Sequence, residues 1–91
     1  MKTKLMILFA ALCVAVSVSA QSADELFNKG LDYYNAGNYT QAFSYFEKTA
    51  NQGFATAQNN LSQMYEYGLG VTKDLQKSAY WEKKYEENPN K

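Results

Sequence analysis

The sequence predicts an all-α fold: two antiparallel helix-turn-helix repeats, a short α-α solenoid, behind a cleaved signal peptide. Three observations predict it. Apolar residues recur at helical spacing in four segments between Ser22 and Glu87. Glycines or a proline close every one of those segments. The last two segments also repeat the first two at nearly constant offset, as a stack of like units requires.

The N-terminus comes first. Lys2 and Lys4 precede an unbroken apolar run from Leu5 to Val16, and Ser17, Val18, Ser19 and Ala20 supply a small-residue exit. This is the tripartite pattern of a secretory signal, with cleavage expected after Ala20. The run is short for a membrane span, which needs about 20 apolar residues. Cys13 lies inside the apolar run with Leu12 before it, so a lipid-anchor reading fails. Cleavage would remove it, and the rest of the chain could form no disulfide. The expected organisation is residues 1–20 as signal and 21–91 as one helical domain, with repeat 1 over about 22–53 and repeat 2 over about 54–88. The expected location is the periplasm or the exterior, in a bacterial cell envelope, with no membrane attachment once the signal is gone.

The first helix starts at Ser22, where Glu25 three residues on completes a capping box. Leu26, Phe27, Gly30, Leu31 and Tyr34 form its apolar face, and Gly37 ends it. Asn38 is the expected cap of the second helix. Tyr39, Ala42, Phe43, Phe46 and Ala50 make that helix's stripe, and Gly53 stops it. The third helix runs from about Ala55 to Tyr67 with Ala57, Leu61, Met64 and Tyr65 on one face, and Gly68 and Gly70 break it. Asp74 caps the fourth, whose inner side reads as Leu75, Ser78, Ala79, Trp81 and Tyr85. Asn88-Pro89 ends it near Glu87, because the residue before proline leaves the helical region. The tail from Pro89 to Lys91 is expected to fray.

Written together, the halves correspond. Gly30 and Tyr33 match Ser62 and Tyr65 at an offset of 32, while Ala42, Tyr45 and Lys48 match Ser78, Trp81 and Lys84 at 36. The difference is an insertion around Gly70 to Lys73. Small residues at Gly30, Ser62, Ala42 and Ser78 allow close helix approach, and aromatic rings fill the space between. Domains of roughly 70 residues have little core to spare, and here eight Tyr, four of the five Phe and the one Trp supply it.

Composition excludes much chemistry. The chain has no His, and its nine basic residues are all Lys. Removing Lys2 and Lys4 leaves seven Lys against nine Asp plus Glu, a net charge of −2. Such an Arg-free, mildly acidic surface gives no electrostatic reason to bind nucleic acid. With neither His nor a retained Cys there is no Ser–His dyad, thiol nucleophile or His-based metal site, and no cofactor is expected. Carboxylates remain: Asp24, Glu25 and Asp32 on the first helix, Glu82, Glu86 and Glu87 on the fourth. A pair could serve a small hydrolase or a ligand-binding protein of the envelope. The simpler reading is solvated helix faces, because a perturbed carboxylate needs a pocket that two hairpins scarcely offer. Gly68-Leu69-Gly70-Val71 lacks the Gly-Lys-Ser/Thr ending of a phosphate loop and reads as a structural turn with Leu69 and Val71 tucked beneath it.

The first unit resembles a tetratricopeptide repeat in Gly30-x2-Tyr33 and Ala42-x3-Phe46. The second is similar to the related Sel-one-like (SLR) repeat through Ala57, Leu61, Tyr65, Gly68, Gly70, Val71, Asp74, Lys77 and Trp81. It departs from that pattern at Ser62, where glycine is usual, at Ser78, where alanine is usual, and at Glu82 and Tyr85. The first unit lacks the GxGV insertion. The resemblance covers Ala23 to Glu87 and implies an adaptor for protein complexes with no catalytic residue.

By the same resemblance, the first helix of each pair lines a concave surface. Phe27, Leu31, Tyr34 and Asn35 would face it, with Met64 or Tyr67 extending it and Tyr85 as a further contact. An apolar helix face does not itself say what covers it, so Leu31 and Tyr34 are core or groove at this stage. Solenoids usually need about three units or polar end caps. With two units and no evident capping helix, apolar surface around Phe27, Tyr34 or Tyr85 is expected to stay exposed. The expected partner is a protein or peptide, or a second copy that continues the stack.

Overall fold

A computed structural model describes residues 22–91. It contains α1 (Ala23–Asn35), α2 (Tyr39–Asn51), α3 (Ala55–Tyr67) and α4 (Leu75–Glu86), with no strand among the described residues. The expected all-α pair of hairpins is therefore present. The expected signal, residues 1–20, lies outside the described residues.

The starts and stops follow from capping chemistry. The Ser22 hydroxyl accepts from the Glu25 N–H at 3.2 Å, and the Glu25 carboxylate accepts from the Ser22 N–H at 3.2 Å. Two otherwise free donors are satisfied by one reciprocal pair. At the other end of α1, Gly37 has φ +83°, and the N–H groups of Gly37 and Asn38 donate to the carbonyls of Tyr34 and Tyr33. This left-handed stop reverses the chain within three residues. The same pair of bonds closes α2, from Gly53 to Ala50 and from Phe54 to Thr49. Asp74 caps α4 as expected, accepting from the N–H groups of Gln76 and Lys77 at 3.0 and 3.1 Å. Asn38 departs from expectation, since its side chain makes no cap bond. Its ψ of 72° falls well short of the 159° at Ser22, so the amide is not aimed back at the first turn of α2.

Neighbours pack in chain order: α1 on α2, α2 on α3, α3 on α4. The core runs along the middle of this row through Phe27, Ala42, Phe46, Ala50, Ala57, Leu61 and Met64. Phe46 is at its centre, with ring centroids 5.3 Å from Phe27 and 6.3 Å from Tyr34. Gly30 lets α1 reach it, because a Cβ there would lie 2.6 Å from the Phe46 ring. The matching contact of the second hairpin is polar. Ser62 donates to the Ser78 carbonyl at 2.9 Å, with the two hydroxyls 3.2 Å apart.

The insertion of the second repeat has a definite seat. Leu69 and Val71 are half-buried against the core, as expected. Gly70 lies against the start of α2, where a Cβ would overlap the Tyr39 carbonyl and crowd the Thr40 N–H. The Asp74 N–H donates to the Tyr65 carbonyl at 2.9 Å and ties the loop's far end to α3.

Two expectations need correction. Leu75 is 61 % exposed and Ala79 is exposed, so neither belongs to the inner side of α4. That helix packs mainly on α3 and buries only Ser78, with Trp81 and Tyr85 half-buried. Pro89 to Lys91 are exposed, and the residue before them is anchored. Asn88 is buried and donates to the Gly53 carbonyl at 2.8 Å and the Gln58 side-chain oxygen at 2.9 Å. Gln58 passes the chain on to the Ala50 carbonyl at 3.2 Å. One polar thread thus joins the end of α4 to the turn between hairpins, and its low-dielectric setting makes each bond costly to lose. Secondly, Phe27 is buried and Tyr34 and Tyr85 are half-buried, while the outward faces of α1 and α4 carry charge. Large exposed apolar side chains are instead Leu75 and Tyr80 of α4 and Tyr67 of α3.

Candidate partner-binding surface

The six residues singled out from sequence fall into three environments. Phe27 is packed between the rings of Phe46 and Phe54, at centroid distances of 5.3 and 4.8 Å. Leu31 and Tyr34 are half-buried, each with one side on the core, and Tyr34 meets Tyr39 edge-on at 5.0 Å. Asn35 and Tyr67 are exposed, Tyr67 at 67 %. They occupy the last residue of α1 and of α3, the same position of the two repeats. Leu31, Tyr34 and Asn35 thus form one run on α1, and Tyr67 is its counterpart on α3. Met64, the other candidate extension, is buried.

Tyr85 is elsewhere. It lines an open cleft of about 420 Å³ between the start of α1, the α2–α3 turn and the tail, with Ala23, Phe54, Thr56 and Lys91 among its walls. The Lys91 ammonium sits 5.3 Å from the Tyr85 ring centre, within cation–π range.

Sequence reading passed over two features. Tyr80 is 54 % exposed and meets Trp81 edge-on at 5.1 Å, with the Lys84 ammonium 5.6 Å from the Tyr80 ring. On the other hairpin, Tyr33 and Tyr45 stack at 5.6 Å with Lys48 beside Tyr45. Tyr45 and Lys48 match Trp81 and Lys84, but Lys84 lies over Tyr80, so the repeat correspondence locates the lysine and not its ring. No such signal marked Asn88, an ordinary helix-end asparagine until its partners are known.

The carboxylates do not converge. Asp24, Glu25 and Asp32 are exposed on α1, and Glu82, Glu86 and Glu87 are exposed on or just after α4. None of the three best-formed clefts is lined by two carboxylates. Among the described residues no group of three or more His, Cys, Asp or Glu could hold a metal ion. Among the described residues, Tyr65 is the one side chain with a clear electrostatic perturbation. Burial pushes its phenol pKa above 10.0, and the nearby charges of Glu47 and Asp74 add to the rise. Its ring is packed edge-on against Phe43 at 5.4 Å, so it serves the contact between hairpins.

Comparison with known proteins agrees with this architecture. The Sel1 repeat family model matches twice, over residues 21–54 and 55–84. Among curated proteins, the DAP3-binding cell death enhancer 1 of Rattus norvegicus is 43 % identical over 50 residues, 55 % of this chain and 10 % of that protein. Its Mus musculus counterpart is 43 % identical over 49 residues, 54 % of this chain and 10 % of that protein. The chain thus spans about a tenth of the length of the curated relatives it matches. No solved structure matches. Two consecutive repeat matches over most of the chain, on two consecutive helical hairpins, place it: the chain belongs to the Sel1 repeat family, whose helical repeats are protein-interaction modules and generally not catalysts.

Proposed function

We propose that this chain is an exported binding module that holds a partner protein or peptide in the cell envelope through the surface formed by α1 and α3. The observation that carries the reading is the pair of Sel1 repeats folded as two hairpins, with Leu31, Tyr34 and Asn35 on α1 matched by exposed Tyr67 at the equivalent place on α3. Exposed tyrosine suits such a role, because it offers a large contact area and a polar tip at small entropic cost. The name of the curated relatives states a protein partner, DAP3, which fits binding as the work of such repeats. The partner of this chain is a separate matter. Export rests on Lys2, Lys4, the apolar run and the small-residue exit at Ala20.

Site-specific photo-crosslinking in producing cells tests the binding surface. A crosslinker at Asn35 or Tyr67 should capture one discrete partner, and the same group at Lys83 on α4 should not. Equal capture from both faces, or none from Asn35 and Tyr67, overturns the assignment. Intact mass of the exported protein tests the rest: a chain beginning at Gln21 is expected, and one retaining residues 1–20 refutes cleavage.

A further inference from the structure

The two repeats can be compared helix by helix, because α1 and α3 share bounds at an offset of 32 and α2 and α4 begin 36 apart. The buried contact between hairpins is made by Phe43, Phe46 and Ala50 of α2 against Ala57, Leu61, Met64 and Tyr65 of α3. At the equivalent places on α4 are Ala79, Glu82 and Glu86, all exposed. At the equivalents of Ala57, Leu61 and Met64 on α1 are Glu25, Lys29 and Asp32, also exposed, while the equivalent of Tyr65 is half-buried Tyr33. Each end therefore carries charge at most of the places where the internal interface is apolar.

The register of the internal interface says what a second copy would meet. Phe43 faces Tyr65, Ala50 receives the Gln58 amide, and Tyr39 receives Gly70. Carried to a head-to-tail stack, these contacts set Ala79 of one copy against Tyr33 of the next and Glu86 against Leu26, and they put Glu82 in the buried place that Phe46 holds inside the molecule. Burying these carboxylates costs more than the small apolar contact returns. Loop length adds an independent obstacle. Inside the molecule the GLGV loop of the second hairpin covers the start of α2. The first hairpin turns within Ala36 to Asn38 and has no such loop to cover Leu75, the equivalent of Tyr39.

We propose that the charged outer faces of α1 and α4 close both ends of this two-hairpin unit, so that a second copy does not stack on it in the manner of its own repeats. The self-association expected from sequence then fails by that route, and partners are taken on the other surfaces.

Sedimentation equilibrium of the chain from Gln21 onward tests this, since its four helices and their core lie within the described residues. The native chain should show monomer mass from micromolar to near-millimolar concentration. A variant combining Glu25→Ala, Lys29→Leu, Asp32→Met, Glu82→Phe and Glu86→Ala transplants the internal interface to both ends. Its weight-average mass should at least double at the upper concentrations. Should that variant lose its helicity, Lys29→Leu with Glu82→Phe alone changes two exposed positions and should shift the mass in the same direction. A monomer in every folded variant overturns the proposal. Disulfide trapping gives a second readout, because the chain from Gln21 contains no cysteine. Mixed Leu26→Cys and Glu86→Cys chains should crosslink no faster than Asn35→Cys and Glu86→Cys chains, and a clear excess in the first pair overturns closure.

Discussion

Two glycines with nearly the same backbone conformation should respond very differently to alanine. Gly37 has φ +83° with nothing within 4 Å of a Cβ, and Gly70 has φ +69° with the Tyr39 carbonyl and the Thr40 N–H in the way. At Gly37 the cost is the left-handed strain alone, about 1 kcal/mol. At Gly70 the same strain applies, and the obstacle is backbone, which no rotamer change relieves. The GLGV loop must then lift from α2. Leu69 and Val71 are half-buried beneath it, and re-exposing them forfeits about 1 kcal/mol each. The expected loss at Gly70 is therefore about 3 kcal/mol, against a total of about 3–5 kcal/mol for a core of this size. Urea titration followed by circular dichroism reads both variants. Gly37→Ala should lower the midpoint modestly, and Gly70→Ala should leave the chain partly unfolded in buffer. Equal midpoints for the two would show that the loop does not hold the hairpins together.

Four further outcomes follow from the same contacts. Asn88→Ala should cost about 2 kcal/mol in the same titration, because the Gly53 carbonyl and the Gln58 amide lose a buried donor; an unchanged midpoint would mean the thread is not a buried tie. Trp81→Ala should cost less than the about 3–5 kcal/mol of a fully buried aromatic, since Trp81 is only half-buried, and a larger loss would place it deeper than the structure does. Ser62→Ala should cost about 0.5–1.5 kcal/mol, because its hydroxyl bonds the Ser78 carbonyl, which remains in place, and an unchanged midpoint would deny that bond. Tyr65 has its folded pKa raised above 10.0, so the folded state holds that proton more tightly. Its contribution is complete below pH 10 and is lost as pH rises through the folded pKa, so Tyr65→Phe should flatten the alkaline fall in midpoint.

The fold was legible because its rules are local. The Ser22–Glu25 pair, the glycines at 37, 53 and 68 and the Asp74 cap are each readable within a few residues, and all four helices sit where those signals put them. Local rules failed where the answer depends on a distant partner. Leu75 and Ala79 have the spacing of an inner stripe, yet what decides burial is whether another helix covers them, and α4 packs mainly on α3. Asn88 was read only as the residue that ends the fourth helix, because its partners, Gly53 and Gln58, are some thirty residues away in sequence. Of the residues singled out, Asn35 and Tyr67 are exposed, but sequence could not separate Phe27, which the core occupies, from Leu31 and Tyr34 beside it. The three share one apolar face, and only the position of Phe46 and Phe54 distinguishes them.

The departures from the family pattern prove more informative than the matches. Ser62 and Ser78 stand where glycine and alanine are usual, and in the fold they are one contact, hydroxyl to carbonyl across the α3–α4 crossing. A hydroxyl on the small residue of α3 still fits because the facing residue is also small, and burial without a partner would have cost the free energy that the bond restores. The missing GxGV insertion and Glu82 are linked in a similar way. An α2-like helix accepts a neighbour only if its start is covered by a loop and its middle is apolar, and α2 meets both conditions through Gly70 and Phe46. The fourth helix meets neither, with Leu75 uncovered and Glu82 in place of the phenylalanine. Substitutions that look like scattered drift in a linear motif thus fall into two coherent adjustments, one that closes the second hairpin and one that, on the proposal above, disfavours a second copy stacked on α4.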